Sequence, residues 1–313
     1  MQNLGIIRDQ NNQYSIISKI YGGDDRKYYS ARNEQNQINY IIAIKRNDYH
    51  DKNNDFPANE INILNILHNV NNPYILHFIR NGNGQLNLQD GESKNVAYLV
   101  FENANINFSL TVCLKNGGLQ ERHAKLIFKK ILNGIQAIHN ANICHRGINP
   151  GNIIFDNNYN PKIYSFDFSC LNANDLQNTK CERQFAPPEL FADKPYNGIM
   201  YDIFSLGQLL FCLVTGIFGF NSSQKNDEYY SQIMKKNYVA YWKLILQHTP
   251  EPSESFKRLF LKMVAFHPEE RPSINDILND EWMQEINNLN AGDMDILENE
   301  VRQELQNRRN NHN

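Results

Sequence analysis

The hydrophobic pattern of this chain changes period once, near Leu110, and that change constrains the fold more than any other feature. From about Tyr14 to Glu102 the apolar runs YSIISKIY (14–21), KYYSAR (27–32), YIIAIKR (40–46), YILHFI (74–79) and VAYLVFE (96–102) are β-branched or aromatic and are separated by polar turns, which predicts strands. One helix is expected among them, Asn59 to His68, opened by Glu60 and stopped by Asn-Asn-Pro at Pro73. The Gly/Asn/Asp-rich stretch from Asn81 to Asn95 reads as a linker. After Leu110 the spacing is helical, most clearly from His123 to Ala141, apart from a hairpin-like passage, NIIFDNNYNPKIYSF (152–166). A small β-rich part (about 14–103) therefore precedes a larger α-rich part (about 104–285), an α+β arrangement. Residues 286–313 form a polar tail.

At 313 residues with 41% hydrophobic content, the chain has enough apolar surface for a core. Lys and Arg number 31 against 34 Asp and Glu, for a net charge of -3. That balance lacks the cationic excess needed to neutralise a phosphate backbone, so nucleic acid is not expected as a partner. The five cysteines (Cys113, Cys144, Cys170, Cys181, Cys212) are scattered and never spaced C-x-x-C, so neither a disulfide framework nor a zinc cage is indicated and a reducing, cytoplasmic setting is expected. The first residues lack the basic and apolar regions of a secretory signal. Ile203 to Phe220 has about the length of a membrane span, but Ser205, Gly207, Gln208, Thr215, Gly216 and Gly219 interrupt it, and a buried core helix is expected instead of membrane association.

Several short segments then occur in an order that resembles the protein kinases. Ile41-Ile42-Ala43-Ile44-Lys45 resembles the V-A-I-K strand, Glu60 opens the next helix, and His145-Arg146-Gly147-Ile148-Asn149-Pro150-Gly151-Asn152 resembles H-R-D-L-K-P-E-N. Pro187-Pro188-Glu189 resembles A-P-E, Asp202 to Gly207 resembles D-x-W-S-x-G, and Arg271 follows in HPEERPS. The resemblance spans roughly residues 14–285 and is closest in texture to calmodulin-dependent-like Ser/Thr kinases. It implies a bilobal kinase-like fold, β-rich in the N-lobe and helical in the C-lobe, with a nucleotide cleft between the lobes.

At the positions where that family does chemistry, this sequence departs from it. The glycine-rich loop that brings backbone N–H groups to the phosphates retains only Gly23, with Tyr21 and Arg26 at the other two glycine positions. Asp24 and Asp25 sit at its tip, where each would oppose a phosphate charge by roughly 2 kcal/mol at ~8 Å and an effective dielectric of ~20. A polar hairpin turn and a nucleotide-cradling loop both fit this segment. Tyr28 replaces the small residue that roofs the adenine, which Ala43 and Ile154 would line. Lys45 and Glu60 match the phosphate-contacting ion pair, or serve only as a tether of helix to sheet.

The proton-accepting aspartate corresponds to Gly147, which has no side chain, and the phosphoryl-neutralising lysine corresponds to Asn149. A gapless reading from Asn152 puts Ser165-Phe166-Asp167 at D-F-G, so a neutral hydroxyl replaces the metal-binding carboxylate. An alternative register, with two inserted residues, reads Asp167-Phe168-Ser169 as D-F-G. Asn152, the other metal position, is kept. No cofactor is then required, ATP binding is left open, and Mg²⁺ is doubtful.

Architectural positions are mostly filled. By resemblance, Leu64, His145 and Phe166 belong to a spine between the lobes, Glu189 and Arg271 form a buried ion pair, and Asp202 anchors the His145-Arg146 turn. Arg146 would face a phosphate on the segment 165–189, which contains Thr179, and the substrate-facing threonine of the family corresponds to Glu182. The tail carries an apolar stripe, Met294, Leu297, Val301 and Leu305, with Glu298/Arg302 and Glu304/Arg308 at i, i+4, and is expected to dock on the larger lobe or offer a face to a partner. The leading expectation is a pseudokinase that works as a scaffold or allosteric partner of other proteins. An atypical active Ser/Thr kinase, and a structural component of a larger assembly with the cleft filled by Tyr21 and Tyr28, are the alternatives.

Overall fold

A computed structural model describes residues 4–22, 26–45, 58–171, 174, 176, 185–192 and 195–311; the side chains of Tyr21, Arg26 and Lys45 are not among the described features. Gly23, Asp24, Asp25, Thr179, Cys181 and Glu182 lie outside the described residues.

Six strands, β1 (Gly5–Arg8), β2 (Gln13–Gly22), β3 (Arg26–Asn33), β4 (Asn39–Lys45), β5 (Phe78–Leu88) and β6 (Ser93–Phe101), pair antiparallel in the order β1-β2-β3-β4-β6-β5 and close into a barrel. Side chains alternate across it. Ile7, Ile16, Ile42, Leu86, Tyr98 and Val100 fill one core, while Tyr28, Ile41, Ala43, Leu99 and Phe101 face the main core with Ile63, Leu64 and Leu67 of α1 (Ala58–His68). Two expectations are corrected here. The stretch 81–95 is mostly strand and not a linker, and the strand unit begins at Gly5, before Tyr14. Along 80–85 the strand at 78–88 alternates between half-buried and exposed positions, but none of these carries a large apolar side chain, which hid it from a periodicity argument. A side chain at Gly82 would meet the Tyr98 ring at 2.8 Å, and one at Gly84 the Arg8 carbonyl oxygen at 2.5 Å, so these glycines allow close approach inside a strand.

The remainder carries β7 (Asn105–Ser109), α2 (Leu110–Cys113), α3 (Glu121–Asn140), β8 (Ile143–Cys144), β9 (Ile153–Phe155), β10 (Pro161–Ile163), β11 (Cys170–Leu171), α4 (Gly198–Thr215), α5 (Tyr230–Met234), α6 (Tyr238–Ile245), α7 (Glu254–Met263), α8 (Ile274–Leu278), α9 (Gln284–Asn287) and α10 (Ala291–Asn310). The apolar stretch expected from Ile203 to Phe220 is helical from Gly198 to Thr215, because the Asn197 side chain accepts from the N–H groups of Ile199 and Met200 and Gly216, at φ 76°, ends it. Among the described residues it is the helix long and apolar enough to cross a membrane, and 83% of it is buried inside the protein. Its polar residues are paired internally: Ser205 Oγ donates to the Phe185 carbonyl (2.9 Å) and Gln208 Nε2 to that of Phe220 (3.1 Å).

The tail helix α10 docks on its own chain. Leu297, Val301 and Leu305 are buried in the main core, and the Arg308 guanidinium donates to the carbonyls of Cys113 (3.0 Å), Gly117 (2.7 Å) and Gly118 (2.7 Å). Glu304 pairs with Arg308 at 2.8 Å as the spacing suggested, whereas Glu298 pairs with Lys130 of α3 at 3.1 Å instead of Arg302. Leu305→Ala is expected to cost about 2–5 kcal/mol by the lost transfer energy and the cavity left behind. Limited trypsin digestion beside urea unfolding measures it, and tail cleavage no faster than in the unaltered chain would rule out Leu305 as the anchor.

Candidate active site

The turn that follows β8 is built around Asp202 of α4. Asp202, fully buried, accepts from the backbone N–H groups of His145 (2.8 Å) and Arg146 (2.7 Å) and pairs with His139 Nε2 at 2.8 Å. These bonds hold Arg146 at φ 55°, a left-handed conformation that a long side chain rarely adopts. The Arg146 guanidinium donates to Tyr196 Oη at 3.0 Å.

His145 is buried, and its ring lies 5.0 Å from that of Phe166. Its Nδ1 accepts the Gly147 N–H (3.2 Å), so Nε2 carries the proton and donates to the Tyr164 carbonyl (3.2 Å). Burial pushes its pKa down, against the nearby charge of Asp202, and the ring is neutral at pH 7.

Gly147 itself is bound only through its backbone. Its carbonyl accepts from Asn149 Nδ2 (3.2 Å) and Asn152 Nδ2 (2.8 Å). Asn149 Oδ1 accepts from the N–H groups of Gly151 (2.7 Å) and Asn152 (3.1 Å), capping the short 3-10 turn at Pro150–Asn152. Asn149 thus folds inward as a capping residue where a lysine would reach outward. A Cβ added at Gly147 would have neighbours no closer than 3.4 Å, so the backbone there accepts a Cβ in ordinary van der Waals contact.

Beyond the β9–β10 hairpin, Ser165 has φ 68° and donates from Oγ to Asp167 Oδ2 at 2.7 Å. Phe166 is buried and Asp167 exposed. Asp167 is close enough that its charge acts on the His145 ring. The donors available for a divalent cation here are the Ser165 hydroxyl, the Asn152 amide and one carboxylate that already accepts the Ser165 proton. That set is poor for Mg²⁺, which takes carboxylates in near-octahedral geometry. Among the described residues no group of three or more His, Cys, Asp or Glu side chains converges as a metal site.

Between barrel and hairpin, Tyr28 of β3 lies opposite Ala43 in the sheet and meets the Tyr164 ring edge-on at 5.8 Å and 82°. Both rings are 6% exposed. Tyr164 Oη also donates to the Gly151 carbonyl (3.1 Å), tying this aromatic pair to the turn that Asn149 caps. Ala43, Ile154 and Leu64 are buried in the same core, and Glu60 is buried at the start of α1. Lys45 ends β4, opposite Arg26. Sequence reasoning did not find Tyr164 or the Lys162–Glu102 pair (2.8 Å) as features of this region; neither sits in a local pattern that marks it.

Glu189 and Arg271 meet in a bidentate pair at 2.6 and 2.7 Å, and Arg271 also donates to the carbonyls of Ala265 and Met200. The Arg271 side chain is fully buried, so this pair fixes the segment at 188–192 against α4.

Comparison with known proteins agrees with this frame. The protein kinase domain family matches residues 14–283. A sperm motility kinase Z of Mus musculus is 33% identical over 53% of this chain and 32% of its own length. A probable serine/threonine-protein kinase HSL1 of Saccharomyces cerevisiae is 30% identical over 71% of this chain and 15% of its own length. A CBL-interacting protein kinase 32 of Oryza sativa subsp. japonica is 28% identical over 61% of this chain and 43% of its own length. The chain thus spans less than half the length of each of these relatives. With the family matching most of its length in the order the structure follows, this chain belongs to the protein kinase superfamily and is similar to its Ser/Thr kinases.

Proposed function

We propose that this chain is a pseudokinase: a kinase-folded protein that does not transfer phosphate and acts through binding and conformational state, as a scaffold or allosteric partner of other proteins in the cytoplasm. In this reading residues 14–103 and 104–285 are the two lobes, joined by the core that Tyr28, Leu64, His145 and Phe166 share.

The observation that carries the proposal is Gly147. A general base must lie within hydrogen-bond reach of the proton it takes, and here the position offers a backbone whose N–H is bound to His145 and whose carbonyl is bound to two amides. Burial of Phe166 against His145 supports the gapless register, which leaves Ser165 at the metal position. The Tyr28–Tyr164 contact supports weak or absent nucleotide binding, since the bulky ring that stands for the family's small adenine-roofing residue is buried against a second ring. Removing a base costs about 10²- to 10⁴-fold, and the metal ligand and lysine are missing as well. From an ordinary kinase rate of about 1–100 per second, little remains.

A second reading, an atypical Ser/Thr kinase, is favoured by one observation: Asp167 is exposed, hydrogen-bonded to Ser165, and close enough to act on His145. Transfer of labelled phosphate from Mg·ATP to a basic protein substrate decides between them. We expect a rate indistinguishable from that of Lys45→Ala; a rate that Lys45→Ala abolishes and Asp167→Asn reduces would establish the second reading.

A further inference from the structure

Among the described residues, two cysteines come together outside the phosphotransfer positions. Cys144 in β8 and Cys170 in β11 are direct partners in an antiparallel two-stranded ladder, with Sγ···Sγ at 3.0 Å. Opposed residues of such a pair have Cα atoms about 4.5–5.5 Å apart, inside the roughly 4.4–6.8 Å window that a disulfide requires. Both are thiols, Cys144 buried and Cys170 half-buried. The ladder is two residues long on each side, so it is held by few backbone bonds.

From this geometry we infer that Cys144 and Cys170 form a reversible disulfide when hydrogen peroxide reaches Cys170, stapling the start of the 165–189 segment to the strand that leads into the His145-Arg146 turn. The inference is independent of whether the cleft transfers phosphate.

The chemistry divides naturally between the two sulfurs. The hydrogen bond with Cys144 and the Arg146 charge pull the Cys170 thiol below its ordinary pKa, whereas the same hydrogen bond and burial push Cys144 well above it. Cys170 is therefore the thiolate-prone sulfur as well as the more accessible one, the two conditions for peroxide attack. Its sulfur attacks one peroxide oxygen; the S–O bond forms, the O–O bond breaks, and the departing hydroxide takes up a proton as water, leaving a sulfenic acid. The Cys144 sulfur then attacks the Cys170 sulfur; the S–S bond forms, the S–O bond breaks, and hydroxide leaves with the Cys144 proton as a second water. The two thiols supply the two electrons that reduce one peroxide to two waters. A thiol such as dithiothreitol reverses the bond by exchange.

Cys144 is placed to complete this step and to do little else. It packs close against the first residue of α4, where a Cβ on Gly198 would come within 2.4 Å of Cys144 Sγ, so any bulkier residue there would displace the sulfur that faces Cys170. The sequence alone hides the pair, since 26 positions separate the two cysteines and no C-x-x-C spacing marks them.

The test oxidises the folded, full chain with hydrogen peroxide, blocks remaining thiols with N-ethylmaleimide, and maps linkages by mass spectrometry without reduction. The expected product is about 2 Da lighter before blocking, carries the Cys144–Cys170 link at least roughly tenfold above any other pairing because the two sulfurs are already juxtaposed, and returns to free thiols with dithiothreitol. In Cys170→Ser, a conservative change at the half-buried position, Cys144 is expected to survive peroxide as a thiol that is blocked on denaturation. Recovery of Cys170 as sulfinic acid beside an unmodified Cys144 would overturn the inference. So would a dominant link from either sulfur to Cys113, Cys181 or Cys212.

Discussion

Gly147→Asp, Asn149→Lys and Ser165→Asp combined, in a Tyr28→Val background, are expected to raise phosphate transfer from ATP at least about 10²-fold over the unaltered chain, while each single exchange gains less than about tenfold. The asymmetry follows from how these groups act. A base without a metal-held γ-phosphate has nothing to attack, and a metal without a base orients a nucleophile that keeps its proton, so the gains multiply only when all are present. Backbone geometry permits the exchanges. A Cβ at Gly147 makes ordinary contacts, and Ser165 at φ 68° sits in the left-handed region, where aspartate is better tolerated than most residues. Asn149→Lys gives up the cap on Gly151 and Asn152, at about 1 kcal/mol. Tyr28→Val removes the ring that meets Tyr164 and frees the space opposite Ala43. Nucleotide titration by thermal shift separates the two halves of the result: saturating ATP at ~100 times its Kd should add roughly 2.7 kcal/mol to the quadruple variant and nothing measurable to the unaltered chain. A quadruple variant that binds ATP yet transfers no faster would overturn the role proposed for the missing side chain at Gly147.

What could be read from the sequence divides along a physical line. Helix α1, the helix from Glu121 and the hairpin at 153–163 were legible because each buries a regular apolar face. The strand at 78–88 was not, because Asn81, Asn83 and Gln85 occupy its outward positions and glycines, not apolar side chains, occupy the facing ones, where they serve contacts to Tyr98 and Arg8 that no local pattern encodes. Within the candidate site, the sequence shows which residue types are missing but not what the survivors do instead. Asn149 and Asn152 close onto Gly147, and Asn149 caps a turn, because short amides bond readily to nearby backbone groups. Long-range partners are set by tertiary structure, Tyr28 with Tyr164 by how the barrel meets the helical part and Cys144 with Cys170 by the β8–β11 ladder within the latter. The Glu298 spacing misled for the same reason: Lys130, on a neighbouring helix, is a better-placed partner than Arg302.

Asp202→Ala is expected to destabilise the protein by about 3–5 kcal/mol, although no step of phosphotransfer is assigned to it. Its carboxylate, fully buried, is the acceptor for two backbone N–H groups and the partner of His139. Truncation leaves both donors without an acceptor, at about 1–3 kcal/mol each, and strips His139 of its partner; relaxation of the left-handed Arg146 backbone, strained by about 1–3 kcal/mol, offsets only part of that loss. Asp202→Asn keeps the shape and one acceptor oxygen but points an amide N–H₂ at a donor, so it should fall between the alanine variant and the native chain. Urea unfolding at constant pH ranks the three. By contrast, the exposed Lys236–Glu270 pair at 2.8 Å should leave the unfolding midpoint where it is when Lys236 is truncated, because solvent screens it and its side chains are free to move. If Asp202→Ala unfolds within about 1 kcal/mol of the native chain, the turn is held by something other than this carboxylate. If the ranking is as expected, the anchor beneath the His145-Arg146 turn matters for stability in its own right: a buried acceptor holds the fold whether or not the neighbouring position carries a base, so Gly147 and Asp202 can coexist in one chain.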